Sequence, residues 1–199
     1  MKKPHSKFSI KQAALTVLSW PLLLMLLFIG TTSCDVEEIP EVDDIPPTFT
    51  FSISGPGGAY SFNQDDDFEN LQLNILAGAT YRFAFIGSDE GGVSIHEFSI
   101  APYDNFNLSD LVPSTANDEV IGLSRSIRQL GDRSDPKTSL TLSGQIEVLP
   151  LGSNESLSTE IGLYVRDFGG ASRDYNSTSA RLQILLVNEG SPLGLINLP

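Results

Sequence analysis

The run Asn63-Gln-Asp-Asp-Asp-Phe-Glu69 puts four carboxylates, Asp65, Asp66, Asp67 and Glu69, on one short polar stretch. Calcium takes several oxygen ligands from a flexible turn, so this stretch is a candidate calcium loop. It lacks the Asp-x-Asp-x-Asp-Gly order and the terminal glutamate of an EF-hand, and a solvated acidic loop is the plainer account. Asp89, Glu90 and Asp167 sit in glycine-bearing turns, where acids commonly shape the turn itself. Tyr60, Tyr103 and Tyr175 fall in apparent loops and offer a ring face and a hydroxyl to a sugar, though edge packing explains loop tyrosines equally well. His96 lies within a strand pattern with no Gly-x-Ser-x-Gly element nearby. The closest string, Gly122-Leu-Ser-Arg-Ser126, lacks the second glycine of a nucleophile elbow. Twenty-five acids supply carboxylate pairs everywhere and mark none for glycoside hydrolysis. No phosphate loop or dinucleotide fingerprint occurs. These residues read as a non-enzyme that requires no cofactor, with calcium as the alternative.

The location of these groups is decided at the front of the chain. Lys2, Lys3, Lys7 and Lys11 precede an apolar run from Ala13 to Ile29, which ends in small residues and the only cysteine, Cys34. That order of basic, apolar and small residues is the order of a secretory signal. Pro21 interrupts the run and the far side turns acidic, which suits a transmembrane anchor poorly. The segment Thr31-Thr-Ser-Cys34 resembles the lipobox of a bacterial lipoprotein, in the looser form of the Bacteroidota, with Thr31 and Thr32 in place of the commoner residues. The resemblance implies cleavage after residue 33 and lipidation of Cys34, and two or more acyl chains give stable anchoring. An ordinary secretory signal or an uncleaved anchor are the other readings.

Cleavage there leaves eight basic residues against 25 acidic ones, a net of −17. Such a chain repels phosphate backbones and anionic lipid, so nucleic acid is disfavoured as a partner, and cations or basic partners fit better. With Cys34 carrying lipid no intrachain disulfide is available, and one remaining histidine excludes a zinc site built on several Cys or His. Apolar burial must hold the fold.

Residues 34–47 hold six acids and three prolines with no periodicity, and read as a disordered tether. Asp35, Glu37 and Glu38 resemble the acidic export signal of surface-exposed Bacteroidota lipoproteins. Asp35 beside the lipidated cysteine also resembles an inner-membrane retention signal of enteric bacteria. The outer face of the outer membrane is the favoured location.

From Thr48 onward the apolar residues alternate. Phe49, Phe51 and Ile53 share one face, as do Leu71, Leu73 and Ile75, and Tyr81 to Gly87 is apolar on both faces. In Val93–Ile100 the phase slips, which predicts a bulge near His96-Glu97. Ser88-Asp-Glu-Gly-Gly92 reads as a hairpin connection. Leu140 to Val148, Ile161 to Val165 and Leu182 to Leu186 complete about seven strands. Val120, Leu123, Ile127 and Leu130 recur at helical spacing between Asp118 and Gly131, which favours a short helix over 118–131; Ile121 and Leu123 also suit an edge strand. The apolar tail, residues 189–199, either docks on the fold or presents Leu193, Leu195 and Ile196 to a partner, and docking is favoured.

Tyr81-Arg-Phe-Ala-Phe-Ile-Gly-Ser-Asp-Glu-Gly-Gly-Val-Ser-Ile-His-Glu-Phe98 is similar to bacterial immunoglobulin-like repeats, in which Asp-x-Gly-Gly ends one strand and Val-Ser-x-x-Glu-Phe begins another. Ile161-Gly-Leu-Tyr-Val-Arg-Asp-Phe-Gly-Gly-Ala-Ser172 looks like their penultimate strand and last hairpin. The expectation is therefore an all-β chain: a signal peptide over 1–33, a tether over 34–47, one antiparallel immunoglobulin-like sandwich over 48–188, and a tail. The resemblance implies an adhesion, spacer or ligand-binding module. Attachment or assembly with other envelope proteins is the first functional expectation, and glycan binding for nutrient uptake the alternative.

Overall fold

The computed structural model describes residues 39–153, 155–188 and 193–198. The signal peptide, Cys34, and the export-signal residues Asp35, Glu37 and Glu38 lie outside the described residues. Among the described residues there are twelve strands and no helix. β1 (Thr48–Gly55), β2 (Gly58–Asn63), β4 (Thr80–Ser88), β6 (Phe106–Val112) and β9 (Ser139–Val148) form one sheet, ordered β2-β1-β4-β9-β6. The other contains β3 (Leu71–Leu76), β5 (Val93–Ala101), β7 (Asn117–Ile121), β8 (Ser124–Leu130), β10 (Leu157–Asp167), β11 (Ser177–Val187) and β12 (Leu193–Asn197), ordered β12-β3-β11-β10-β5-β8-β7.

The alternation seen in the sequence is the mechanism of this fold. Successive strand residues face opposite sides of a sheet, so one side of each strand is apolar and two such sheets hide those sides against each other. Phe49, Phe51 and Ile53 of β1 and Phe83 and Phe85 of β4 are buried on one side. Phe98 and Ile100 of β5, Leu163 and Val165 of β10, and Leu182, Ile184 and Leu186 of β11 meet them. Phe98 spans the interface, its ring centroid 4.6 Å from Phe83 and 6.0 Å from Phe51. Tyr81 is fully buried, and its hydroxyl accepts the Leu76 amide at 2.8 Å. Removing that acceptor with Tyr81→Phe is expected to cost about 1–3 kcal/mol, read as an equal shift in the denaturant midpoint free energy.

Several expectations are corrected. The segment 118–131 is an antiparallel hairpin, β7 paired with β8, and β8 pairs with β5. Gly122, with φ of +59°, opens a two-residue turn that a helix could not contain. Of the four apolar residues at helical spacing only Ile127 is buried, because β8 needs just one inward anchor there. Twelve strands replace about seven, since β2, β6, β7, β8 and β12 are additional. The larger sheet is mixed, because β3 and β11 run parallel. The irregularity in β5 lies at Ser94, where Arg166 faces Ile95 and Asp167 faces Val93. His96 therefore shares the inward face with Phe98. The Ser88–Gly92 connection carries the chain from one sheet to the other and is no hairpin, whereas the one after Asp167 joins the hairpin pair β10 and β11.

Both ends of the domain are fastened more closely than the sequence indicates. The segment 40–47, assigned to the tether, runs along the sandwich: the Ala171 amide donates to Glu41 O and the Thr178 hydroxyl to Pro47 O. Tail residues 193–197 add β12 antiparallel to β3, burying Leu193 while Leu195 and Ile196 stay exposed. Docking of the tail, the favoured alternative, is what the fold shows.

Candidate metal centre

Along β4, Phe85 and Gly87 face inward, and the same phase carried past the strand end turns Asp89 inward. Along β10, Leu163 and Val165 face inward and Asp167 follows them. Two carboxylates are thus delivered to one end of the sandwich by residues whose neighbours build the core, and both are buried. The docked N-terminal segment adds a third, Asp43. Among the described residues, one oxygen from each of Asp43, Asp89 and Asp167 lies within 4.8 Å of the others.

Among the described residues, hydrogen bonds hold these groups and no ion pair neutralises them. Asp167 accepts both the Asn176 amide, at 2.8 Å, and its Nδ2, at 2.7 Å, and Asn176 Nδ2 also donates to the Asp43 carbonyl. Asp89 Oδ1 accepts the Gly91 amide at 2.8 Å. Arg133 donates to the carbonyls of Phe168 and Gly170 and so fixes the loop between β10 and β11. Asp43 Oδ2 is sealed from solvent and has no hydrogen-bond partner. Burial first, then the Asp43 charge, pushes the Asp89 carboxyl up to about 6; the Gly91 amide opposes, while Asp167 and the hydrogen bond that a protonated Asp89 makes to Asp43 add to the shift, so Asp43 Oδ2 lacks a partner only while both carboxyls are ionised.

Three carboxylates at one point have two stable arrangements. One is a shared proton, which the raised Asp89 favours in mild acid. The other is a divalent hard cation, whose charge reverses the repulsion and which takes oxygen ligands from carboxylates, backbone carbonyls and water. A hollow of about 600 Å³ between residues 40–46 and Ser88–Glu90 opens beside the cluster and gives an ion or water access.

Asp65, Asp66, Asp67 and Glu69 do not form such a group among the described residues. Asp66 accepts the Asn63 amide and Asp67 accepts Asn70 Nδ2, so they shape the turn between β2 and β3. The three tyrosines are not assembled into one platform. Tyr60 is on β2, its hydroxyl accepting the Leu195 amide. Tyr103 packs against the core from the loop before β6. Tyr175 lies 4.5 Å under the Arg166 guanidinium. His96 is fully buried, its ring 4.1 Å from that of Phe85. Ser126 donates to Glu97 from the middle of β8.

Asp43 and Asn176 escaped the sequence reading. Asp43 is one of six acids in a segment with no pattern. The usable signal was the likeness of Asp89-Glu-Gly-Gly92 and Asp167-Phe-Gly-Gly170, two similar turns that the fold brings to the same end.

No family model matches this chain. No curated protein matches it either. Among solved structures it is similar to a non-cellulosomal cohesin from the hyperthermophilic archaeon Archaeoglobus fulgidus, at 11% identity and a TM-score of 0.34, over 59% of this chain and 90% of that one.

Proposed function

We propose that this chain is a lipid-anchored, surface-displayed immunoglobulin-like module of a Bacteroidota-type envelope. It serves attachment or assembly with other envelope proteins, and a divalent cation held by Asp43, Asp89 and Asp167 secures its N-terminal segment. The observation that carries the reading is the unpartnered Asp43 Oδ2, buried against two further carboxylates on the stretch joining Cys34 to β1. A module held at one end by lipid and at the other by a partner transmits force through that stretch. Fixing it to the sandwich moves the effective anchor from Cys34 to the domain itself. Exposed Val42 and Ile45 on the fixed segment give a partner apolar surface beside acidic groups.

The test has two arms. Cys34→Ser is expected to lose radiolabelled palmitate and to leave the membrane fraction, and protease added to intact cells should cut the wild-type chain. In the second arm, cross-linking on intact cells should join the wild-type chain to envelope proteins, and Asp43→Ala should weaken that joining while exposing residues 40–47 to protease. Retained palmitate in Cys34→Ser would end the anchoring reading. A cross-link pattern unchanged by Asp43→Ala would end the role of the clamp.

A further inference from the structure

The outward face of the larger sheet carries a groove of about 460 Å³ that crosses β11, β10, β5 and β8. Strand register defines it. Gly162 and Ser99 are cross-strand partners and form a low floor, with Ser124 at the β8 end and Arg181, the other partner of Gly162, standing at the β11 end. Tyr164 and Glu97, themselves partners, stand on one side with Arg128, and Glu160 stands on the other. Three strand spacings make the floor about 14 Å long. At the β11 end the groove runs on into a second hollow of about 620 Å³, bounded by the acidic Gln64–Glu69 turn and sharing Glu160 and Arg181 with the first.

Gly162 stands in the middle of a central strand, where a glycine weakens the strand and marks a close approach from outside. Its φ is not among the left-handed ones, but a Cβ placed there would come within 2.5 Å of Ser99 Oγ, so any side chain here requires that hydroxyl to rotate away. With the glycine in place, Gly162 and Ser99 leave the floor open to the outer face.

We propose that this groove binds a carbohydrate chain. The charges of its walls are already balanced: Arg128 pairs with Glu97 at 2.7 Å and Arg181 with Glu160 at 3.2 Å. An ionic ligand would have to break those pairs, whereas a neutral polyhydroxyl chain can share them, donating to the carboxylates and accepting from guanidinium and serine hydroxyls. Tyr164 supplies a ring and a hydroxyl on the same wall. A protein partner would need large apolar anchors to desolvate, and the floor of glycine and serine offers none. This site is separate from the three-aspartate centre and does not rest on the attachment reading.

The experiment is native electrophoresis of the full-length chain in detergent, through gels containing neutral β-glucan, xylan or dextran, with anionic pectin and mucin as ionic controls, with and without chelator. Retardation is expected in at least one neutral gel and should be indifferent to chelator. Gly162→Leu fills the floor from the outer face and should weaken that retardation at least tenfold. Tyr164→Ala should weaken it severalfold, and Tyr164→Phe should retain most of it. Circular dichroism establishes that each variant is folded, and Tyr164→Ala serves alone if Gly162→Leu is not. Free mobility of the wild type in every neutral gel, or retardation untouched by the folded variants, overturns the proposal.

Discussion

Calcium added in hundredfold excess over its dissociation constant is expected to stabilise the metal-free protein by about 2.7 kcal/mol, raising Tm by about 5–10 °C near pH 7.5. The effect comes from the folded state alone, because unfolding scatters Asp43, Asp89 and Asp167 across more than a hundred residues of sequence. Asp89→Asn separates the cation from the rest of the fold. Asparagine keeps an oxygen for the Gly91 amide and removes the charge that burial and Asp43 oppose. A raised carboxyl favours folding below its unfolded value and loses that benefit as pH rises through about 6. At neutral pH the metal-free wild type therefore bears a penalty that Asp89→Asn lacks, about 2–3 kcal/mol for a carboxyl raised to about 6. The variant should be more stable than wild type in chelator and should lose most of the calcium response. A wild type whose Tm ignores calcium, together with a variant that melts lower in chelator, would show that the cluster is a structural acid network.

The expected seven strands are all present because each carries a buried alternating face: Phe49, Phe51 and Ile53 in β1, or Leu182, Ile184 and Leu186 in β11. Most of the strands that escaped lack one, β6 with its buried Phe106 and Leu108 being the exception. All five residues of β7 are exposed, β2 buries only Phe62, and β12 only Leu193, so pairing with a neighbour defines them more than composition does. The false helix has the same origin. Val120, Leu123 and Leu130 are more than half exposed or at that level, and an apolar residue at an exposed edge carries no periodic information. The slip of phase in β5 was legible, but its position was not. A histidine was expected to mark the irregularity, whereas the core accepted His96 and the extra residue fell at Ser94. The aspartate cluster required knowing that the turn after β4 crosses between sheets. A hairpin and a crossover use the same Asp-x-Gly-Gly residues, and only the second brings Asp89 beside Asp167.

Acid is expected to act on this fold through two buried groups whose effects oppose each other. His96 is fully buried, neither ring nitrogen has a hydrogen-bond partner, and Gln129 across on β8 leaves its Oε1 unpartnered as well. Burial lowers the His96 pKa to about 4, with the polar Gln129 side chain opposing the shift without meeting hydrogen-bond geometry. The neutral ring is compatible with folding and the charged ring is not. The stability it permits is therefore complete above its unfolded value of about 6.5 and is lost as pH falls toward 4, at roughly 1.4 kcal/mol per pH unit. Asp89 works in the contrary sense over nearly the same window, gaining stability as pH falls from about 6 toward its unfolded value. The two slopes nearly cancel in the wild type. Asp89→Asn removes the group that gains stability in acid, so its stability relative to wild type should fall as pH drops below about 6. His96→Leu removes, near constant volume, the group that loses stability in acid, so its stability relative to wild type should climb as pH falls from about 6.5 toward 4. Carboxylates held low elsewhere, such as Asp118 beside Arg125, act equally in all variants and drop out of the differences. Urea titrations from about pH 7 to 4 in chelator measure these differences directly. Parallel curves for the two variants would remove both assignments, whereas curves that diverge in opposite directions locate one titrating group in the core and the other at its rim.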